Sequence, residues 1–184
     1  MSEVLLVLAF VAAVNPPRAR LGLPEDERAR PLPVAMLVGS VVAIGVVTGL
    51  AWWSAPLLDA LEITPETFRI AAGLVAVLAG GWAFFLPIPA VEPALAGWRA
   101  GLWPVAYPRI LSPEVLVLAI AAGTQNGVAW SVVAAAAAVG ALGLLAVVPN
   151  RGSAARFMAS TGRVLAVLLV VAGIFLMIDG IRDV

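Results

Sequence analysis

Residues 107–114 read YPRILSPE and interrupt an apolar run, from Gly101 to Gly123, that is long enough to cross a bilayer. Pro108 and Pro113 each remove a backbone donor and disfavour the helical conformation of the residue before them. A continuous helix should therefore break in this passage. Because both ends of the run are apolar and its middle is polar, the break is predicted to lie inside a membrane segment.

The second half of the passage has the pattern of a new helix start. Ser112 is suited to the N-cap position, Pro113 to the first helical position, and Glu114 to the positively polarised first turn. A helix that begins inside a membrane directs its free N–H groups into the gap, an arrangement that suits a small anionic group such as a carboxylate. Discontinuous helices of this kind recur in secondary transporters.

The composition indicates an integral membrane protein. Of 184 residues, 62% are hydrophobic and only 12% are charged, with a mean hydropathy of +1.06. Eleven cations, all arginine, balance eleven acids, so no basic excess favours nucleic acid. Cysteine and histidine are absent, which excludes thiol chemistry, disulfides, haem attachment and the usual zinc or copper sites. Without a phosphate-binding loop, metalloprotease motif or serine-nucleophile motif, we expect no enzyme activity, cofactor or metal.

Six membrane segments are predicted. The first must extend beyond the short apolar run from Val4 to Val14, through a second break at Asn15-Pro16, to about Leu23. We expect Asn15 to be the N-cap of the helix that follows this break. The other segments are predicted at about 32–53, 65–85, 101–123, 128–148 and 163–181, with a turn at 124–127 and a basic loop at 149–160.

The glycines suggest where helices pack closely. Gly140 and Gly143 would permit close packing in the fifth segment. The spacing of Gly45 and Gly49 would permit it in the second, although incidental glycines in a glycine-rich chain explain that pair equally well.

The two halves of the chain resemble each other. Asn15-Pro16 matches Ser112-Pro113, and the segments that begin near Arg69 and Arg163 continue alike. Since each half holds three segments, the second half enters the membrane from the opposite side. We therefore predict an all-α polytopic protein of two inverted repeats, residues 1–85 and 101–184, joined by a linker at 86–100. The two broken segments should meet near the midplane.

The arginines predict the orientation in the membrane. Most of them fall in or beside the loops after the first, third and fifth segments, namely Arg20, Arg28, Arg30, Arg99, Arg151, Arg156 and Arg163. Cytoplasmic loops carry an excess of arginine and lysine, so this side should be cytoplasmic. Both termini are then predicted outside.

These features resemble the MarC family of bacterial inner-membrane proteins, which is related to the LysE-type exporters. The likeness covers essentially the whole chain and rests on Asn15-Pro16, residues 68–73 (FRIAAG), residues 104–108 (PVAYP), Ser112-Pro113, and the sixth segment from Arg163 to Ile181. The resemblance implies a six-helix carrier that moves small neutral amino acids such as glycine and alanine. The chain departs from the family pattern at Ser112-Pro113-Glu114, where glycine-proline-glycine is typical. It departs again at Pro17-Arg18, where small or hydroxyl residues usually follow.

Three charged residues near the breaks have two interpretations each. Arg109 lies about 12 Å into its segment, near the midplane, and either marks a pathway or has a plainer role, in which it snorkels toward the cytoplasmic face or caps nearby carbonyl groups freed by Pro113. Glu114 either couples transport to a proton or, as the favoured interpretation, neutralises Arg109 as an ion pair. Arg18 either contributes to the site or, more simply, reaches the cytoplasmic headgroups.

We therefore predict a secondary transporter of a small solute, most simply a neutral amino acid, that works by alternating access with H⁺ or Na⁺ as a possible coupling ion. An anionic carboxylate would bind at the helix start beside Asn15, away from the negative charge of Glu114. The alternatives are a non-transporting structural or partner-binding protein, and an exporter of a cationic or amphiphilic compound. The predicted binding residues are Asn15, Pro16, Arg18, Pro108, Arg109, Ser112, Pro113 and Glu114.

Overall fold

The computed structural model describes residues 2–23, 33–86, 97–148 and 151–183. All regular structure within these ranges is helical. The α-helices are α1 (Glu3–Val14), α2 (Pro16–Leu21), α3 (Pro33–Trp52), α4 (Ser54–Ala60), α5 (Pro65–Phe85), α6 (Pro113–Gln125), α7 (Val128–Ala146) and α8 (Gly152–Arg182). The loop after the first segment, with Arg28 and Arg30, and most of the predicted linker, at 87–96, lie outside the described residues.

The helices confirm the membrane class. Five of them are long and apolar enough to cross a bilayer when α1 and α2 are taken as one span, Glu3–Leu21. A sixth candidate is the bent pair formed by Gly97–Ile110 and α6, whose two parts meet at an angle of 73°. The described part of the chain is therefore all-helical, and its long apolar helices are those of a polytopic membrane protein.

Both predicted breaks are present. Asn15 separates α1 from α2 in a left-handed conformation, with φ +46°. The second break follows a 3₁₀ turn, Gly97–Gly101, and an irregular wide-turn passage, Leu102–Ile110, that leaves helical geometry at Trp103 and Tyr107. Regular helix resumes only at Pro113. The prolines thus act as expected, although the part of this segment without α-helical structure is longer than the sequence indicated and includes the 3₁₀ turn that begins at Gly97.

The two ends of the bent pair lie at opposite ends of α3. Gly101 packs against Ala35 and Gly39, near the beginning of α3. Gly123, in the last turns of α6, packs against Ala51 and Ser54 at the other end. Positions 35 and 51 are about 24 Å apart along a helix. The bent pair therefore runs the length of α3 and does not turn back to the side from which it started.

Helices α5 and α8 form the most extensive helix pair among the described elements. They are antiparallel and touch through small residues spaced seven apart. A Cβ added to Gly73 would lie 2.5 Å from Gly173 O, and one added to Gly80 would lie 2.7 Å from Ala166 O. A Cβ added to Gly180 would likewise lie 2.8 Å from Glu66 O. Because glycine has no side chain, the two backbones can approach each other closely between positions 66 and 80 of α5.

Several predictions about packing and boundaries are wrong. Gly45, Gly49, Gly140 and Gly143 face open space, so none of them allows a helix contact. The described part of the expected basic loop at 149–160 is helical from Gly152, because its alanine-rich sequence continues α8 outward. A short helix, α4, which the sequence pattern did not predict, follows α3. The start of α5 is as predicted, since Thr64 Oγ1 accepts the Thr67 N–H at 3.3 Å.

The glycine contact can be tested by adding a methyl group. Gly173→Ala should lower the free energy of unfolding by about 1–3 kcal/mol, because its Cβ would lie 2.6 Å from Gly73 O. Thermal unfolding in detergent, followed by tryptophan fluorescence, measures the change. Gly140→Ala is the matched control, since it gains the same helix propensity in open space. Equal melting temperatures for the two variants would contradict this account of the interface.

Candidate functional site

The two breaks line one cavity of about 120 Å³, which we call the deep cavity. Six of the eight predicted binding residues line it: Asn15, Arg18, Pro108, Arg109, Ser112 and Glu114. Pro16 and Pro113 occupy first-turn positions of α2 and α6, as predicted, but neither is among the lining residues. The sequence therefore identified the polar wall of the cavity, and the two prolines act by ending the helices beside it.

Asn15 joins the first break to α8. Its backbone N–H completes the last turn of α1 by bonding to Val11 O, and its side-chain Oδ1 accepts the Arg18 N–H at 3.3 Å. The side-chain Nδ2 donates to Gly162 O at 2.8 Å, and Asn15 is only 5% exposed. The predicted N-cap is confirmed. The bond to α8, which no local pattern signalled, holds the break against the α5–α8 pair.

Three arginines bind carbonyl groups at helix ends. Arg18 donates to Ala83 O and, at 2.9 Å, to Leu86 O, both at the end of α5. Arg20 donates twice to Val148 O, just beyond α7, at 2.9 and 3.2 Å. The last carbonyl groups of a helix have no partner within it, and cations favour that end. The simpler interpretation held that Arg18 reaches the headgroups. Its guanidinium is instead bonded to the protein, at the end of α5.

Arg20 corrects the prediction that placed it in a loop. It lies in α2 and is only 2% exposed, one of the largest fully buried side chains of the described chain. Nothing in its local sequence distinguishes it from Arg18, two residues earlier. Its burial follows from the packing of α2 against α7 and α8, which encloses its side chain.

Arg109 bridges the two breaks. Its Nη2 donates to Gly22 O at 2.9 Å, at the end of α2. Gly22 is needed for this approach, since a Cβ there would collide with the Arg109 guanidinium. The side chain is partly buried and lines the deep cavity. Arg109 therefore caps a carbonyl group at the end of α2 and not the nearby carbonyl groups freed by Pro113, and it also lines the cavity between the breaks.

Glu114 does not form the expected ion pair with Arg109. No described cation lies within ion-pair distance of its carboxylate, although the carboxylate lines the deep cavity. The physical reason is the direction of Arg109, whose guanidinium is bonded to the end of α2. Glu114 is therefore a partly buried acidic residue in a lining that also includes Arg18 and Arg109.

Ser112 begins α6 as predicted, but its hydroxyl does not cap the helix. Its backbone O accepts the Val115 N–H at 3.0 Å, while its Oγ is buried and makes no hydrogen bond to described residues. Buried hydroxyl groups usually have a partner, so this oxygen is available to a bound solute. The apolar wall, which the sequence analysis missed because small apolar residues carry no distinctive signal, comprises Ala12, Ala13, Val14, Ala19, Ala83 and Leu169.

A second cavity, of about 340 Å³, lies next to the deep cavity toward the arginine-rich end of the molecule. We call it the outer cavity. It is lined by Arg18, Leu21, Phe84, Phe85, Leu86, Met158, Ala159, Gly162 and Arg163. On α8 the outer cavity reaches Gly162 and the deep cavity reaches Leu169, about 10 Å further along the helix.

The opposite end of the molecule is held together by polar contacts. Arg69, which is 6% exposed, pairs with Asp183 at 2.8 Å and with Glu66 at 3.4 Å. Gln125 Nε2 donates to Asp179 Oδ2 at 2.8 Å. Gln125 was predicted to be a turn residue, whereas it ends α6 and joins that helix to α8. Within the described ranges, no group of three or more acidic side chains could hold a metal ion.

Comparison with known proteins gave no match to a family model, to a curated protein or to a solved structure.

The arginine caps lead to a prediction about stability. Arg20→Met keeps most of the apolar stem but leaves Val148 O without its charged donor, so the free energy of unfolding should fall by about 1.5–3 kcal/mol. Arg156→Met is the control, since Arg156 lies exposed in the first turns of α8. Thermal unfolding of both variants in detergent gives the comparison. If the two substitutions cost the same, the Arg20 bonds contribute nothing specific.

Proposed function

We propose that the protein is a secondary transporter of a small neutral amino acid, of the glycine or alanine type. The observation that carries the proposal is the charge pattern of the deep cavity. Glu114 supplies a carboxylate that makes no ion pair with a described residue, and Arg18 and Arg109 supply guanidinium groups. A zwitterion carries both complementary charges on one small molecule, whereas a simple anion or cation would satisfy only one part of this lining.

The size of the deep cavity supports a small solute. Its volume of about 120 Å³ corresponds to the space of about four water molecules in the liquid. Pockets for drug-sized ligands are usually about 300–1,000 Å³. The apolar wall of alanine, valine and leucine side chains suits a hydrogen atom or a methyl group as the side chain of the solute. Glycine and alanine therefore fit better than larger amino acids.

The polar groups indicate how such a solute would be oriented. The ammonium group would lie against Glu114, and the carboxylate would accept hydrogen bonds from a guanidinium group and from Ser112 Oγ. We assign the carboxylate to the guanidinium groups, and no longer to the helix start beside Asn15. The helix there has only six residues, and Asn15 Oδ1 already accepts the Arg18 N–H.

We further propose six spans arranged as two inverted repeats, in the manner of MarC carriers. Matching helix contacts support this arrangement: α2 touches α7 and α8, while α6 touches α3 and α5. The α5–α8 contacts are also reciprocal, since Gly80 meets Ala166 and Gly180 meets Glu66 about a centre at Gly73 and Gly173. This symmetry pairs Gly73 with Gly173, six residues away from the register suggested by Arg69 and Arg163.

The proposed transport cycle is alternating access between the two ends of the molecule. In the described conformation the outer cavity lies at the arginine-rich end, and the Arg69–Asp183 and Gln125–Asp179 contacts hold the opposite end together. A small rotation of one repeat against the other about the α5–α8 interface would close the cavity at the arginine-rich end and open the opposite end. We propose a bacterial inner membrane with the arginine-rich end cytoplasmic and both termini outside, and Glu114 as the group that couples transport to H⁺ or Na⁺.

Uptake into proteoliposomes tests the proposal. Purified protein should accumulate radiolabelled glycine and alanine under an imposed pH or sodium gradient, saturably and above empty liposomes. Glu114→Gln should lower kcat/KM about tenfold or more, because a charge-assisted bond to the ammonium group is lost. Glu62→Gln changes an exposed carboxylate at the other end of the molecule and should leave uptake unchanged.

Three outcomes would redirect the proposal. No accumulation from folded protein would favour a structural or partner-binding role. Competition by organic cations, and none by amino acids, would favour export of a cationic or amphiphilic compound. Gradient-driven uptake that survives Glu114→Gln would remove Glu114 from coupling while leaving the transporter in place.

A further inference from the structure

The deep and outer cavities have one side chain in common. Among the described residues, Arg18 alone lines both of them. Its guanidinium is bonded to Ala83 O and Leu86 O at the end of α5, so the side chain extends from α2 across to the facing helix. Arg18 therefore lies where the linings of the two cavities meet.

The backbone on either side of Arg18 is fixed. Asn15 holds the break to Gly162 O, and a Cβ added to Gly162 would lie 3.3 Å from Asn15 Oδ1 and 3.5 Å from Arg18 Cβ. The break and α8 are thus in close contact at this level. The part that can move is the Arg18 side chain beyond its Cβ, which has several rotatable bonds and ends in hydrogen bonds to two neutral carbonyl groups.

We infer that Arg18 is an anion-selective gate between the outer and deep cavities. A carboxylate that reaches the outer cavity can replace Ala83 O and Leu86 O as the acceptor for the guanidinium. A carboxylate can accept two parallel, charge-assisted bonds from the planar guanidinium and carries the opposite charge, which a neutral carbonyl group does not, so the exchange favours opening. A cation offers no acceptor and meets the positive charges of Arg18 and Arg163. The inference deepens the proposed transport function, since it makes the solute carboxylate the group that is recognised on admission.

The chain contains no cysteine, so single cysteines can report access without further changes. Ser112→Cys places a thiol in the deep cavity, and Ala159→Cys places one in the outer cavity. Two thiol reagents of similar size but opposite charge serve as probes, the anionic sulfonatoethyl and the cationic trimethylammonioethyl methanethiosulfonates. The measured quantity is the ratio of the anionic to the cationic modification rate at each position, in detergent-solubilised protein.

With Arg18 present, the anionic reagent should modify Ser112→Cys faster than the cationic reagent does. Arg18→Gln should lower this ratio about tenfold, the smaller end of the range of electrostatic effects on access rates. Arg163→Gln removes the same charge from the outer cavity alone, so it should change the ratio at Ala159→Cys more than the ratio at Ser112→Cys. Ala13→Cys is a second probe of the deep cavity in case Ser112→Cys does not fold.

Arg18→Lys separates the gate from simple loss of folding. Lysine keeps the charge but cannot span two carbonyl groups with a planar fork, so both reagents should react faster while the anionic preference remains. The inference is overturned if the ratio at the deep position is the same with Arg18 and with Arg18→Gln. It is also overturned if Arg163→Gln lowers that ratio equally, or if the deep thiols stay unreactive in every variant.

The failure of this inference and that of the transport function give different results. The rate ratio is measured without any amino acid. If the ratio changes as expected but the protein takes up neither glycine nor alanine, only the proposed substrate is refuted. Uptake of glycine or alanine with an unchanged rate ratio in Arg18→Gln would refute only the gate.

Discussion

The structure depends on bonding the carbonyl groups that broken and terminating helices leave without partners. A carbonyl group that is buried away from water without a donor costs several kcal/mol. Arg18, Arg20 and Arg109 provide the donors at the ends of α5, α7 and α2. Because each arginine comes from a different element than the one it caps, these bonds also join the first break to α5 and α7, and the second break to α2.

The α5–α8 pair supplies the rigid surface on which those breaks rest. Its glycines bring two backbones together over most of the length of α5, and Asn15 and Gln125 attach the first break and the end of α6 to α8. Close backbone packing between antiparallel helices resists separation but permits a small rotation about the contact. This combination suits a molecule whose proposed cycle moves one half against the other while a small site stays between them.

The same residues serve stability and the proposed chemistry at the deep cavity. Arg18 and Arg109 bond to carbonyl groups and face the cavity, which leaves Glu114 without an ion pair to a described residue. A carboxylate kept apart from nearby arginines is an unfavourable arrangement for folding alone. Under the proposed function, a zwitterionic solute would bring both a positive and a negative group and so offset this cost.

Local chemistry was enough to predict the membrane class, both breaks, the start of α5 and six of the residues that line the deep cavity. Proline, N-cap residues and long apolar runs act through their immediate neighbours, so their effects can be recognised without knowledge of the fold. Tertiary structure alone decided that Arg20 is buried, that Gly73 and Gly173 pack while Gly45 and Gly140 do not, and that Arg109 bonds to Gly22 and not to Glu114. Helices that are apolar on every side carry no stripe to show which face meets another helix, and that choice is made only when all the helices pack together.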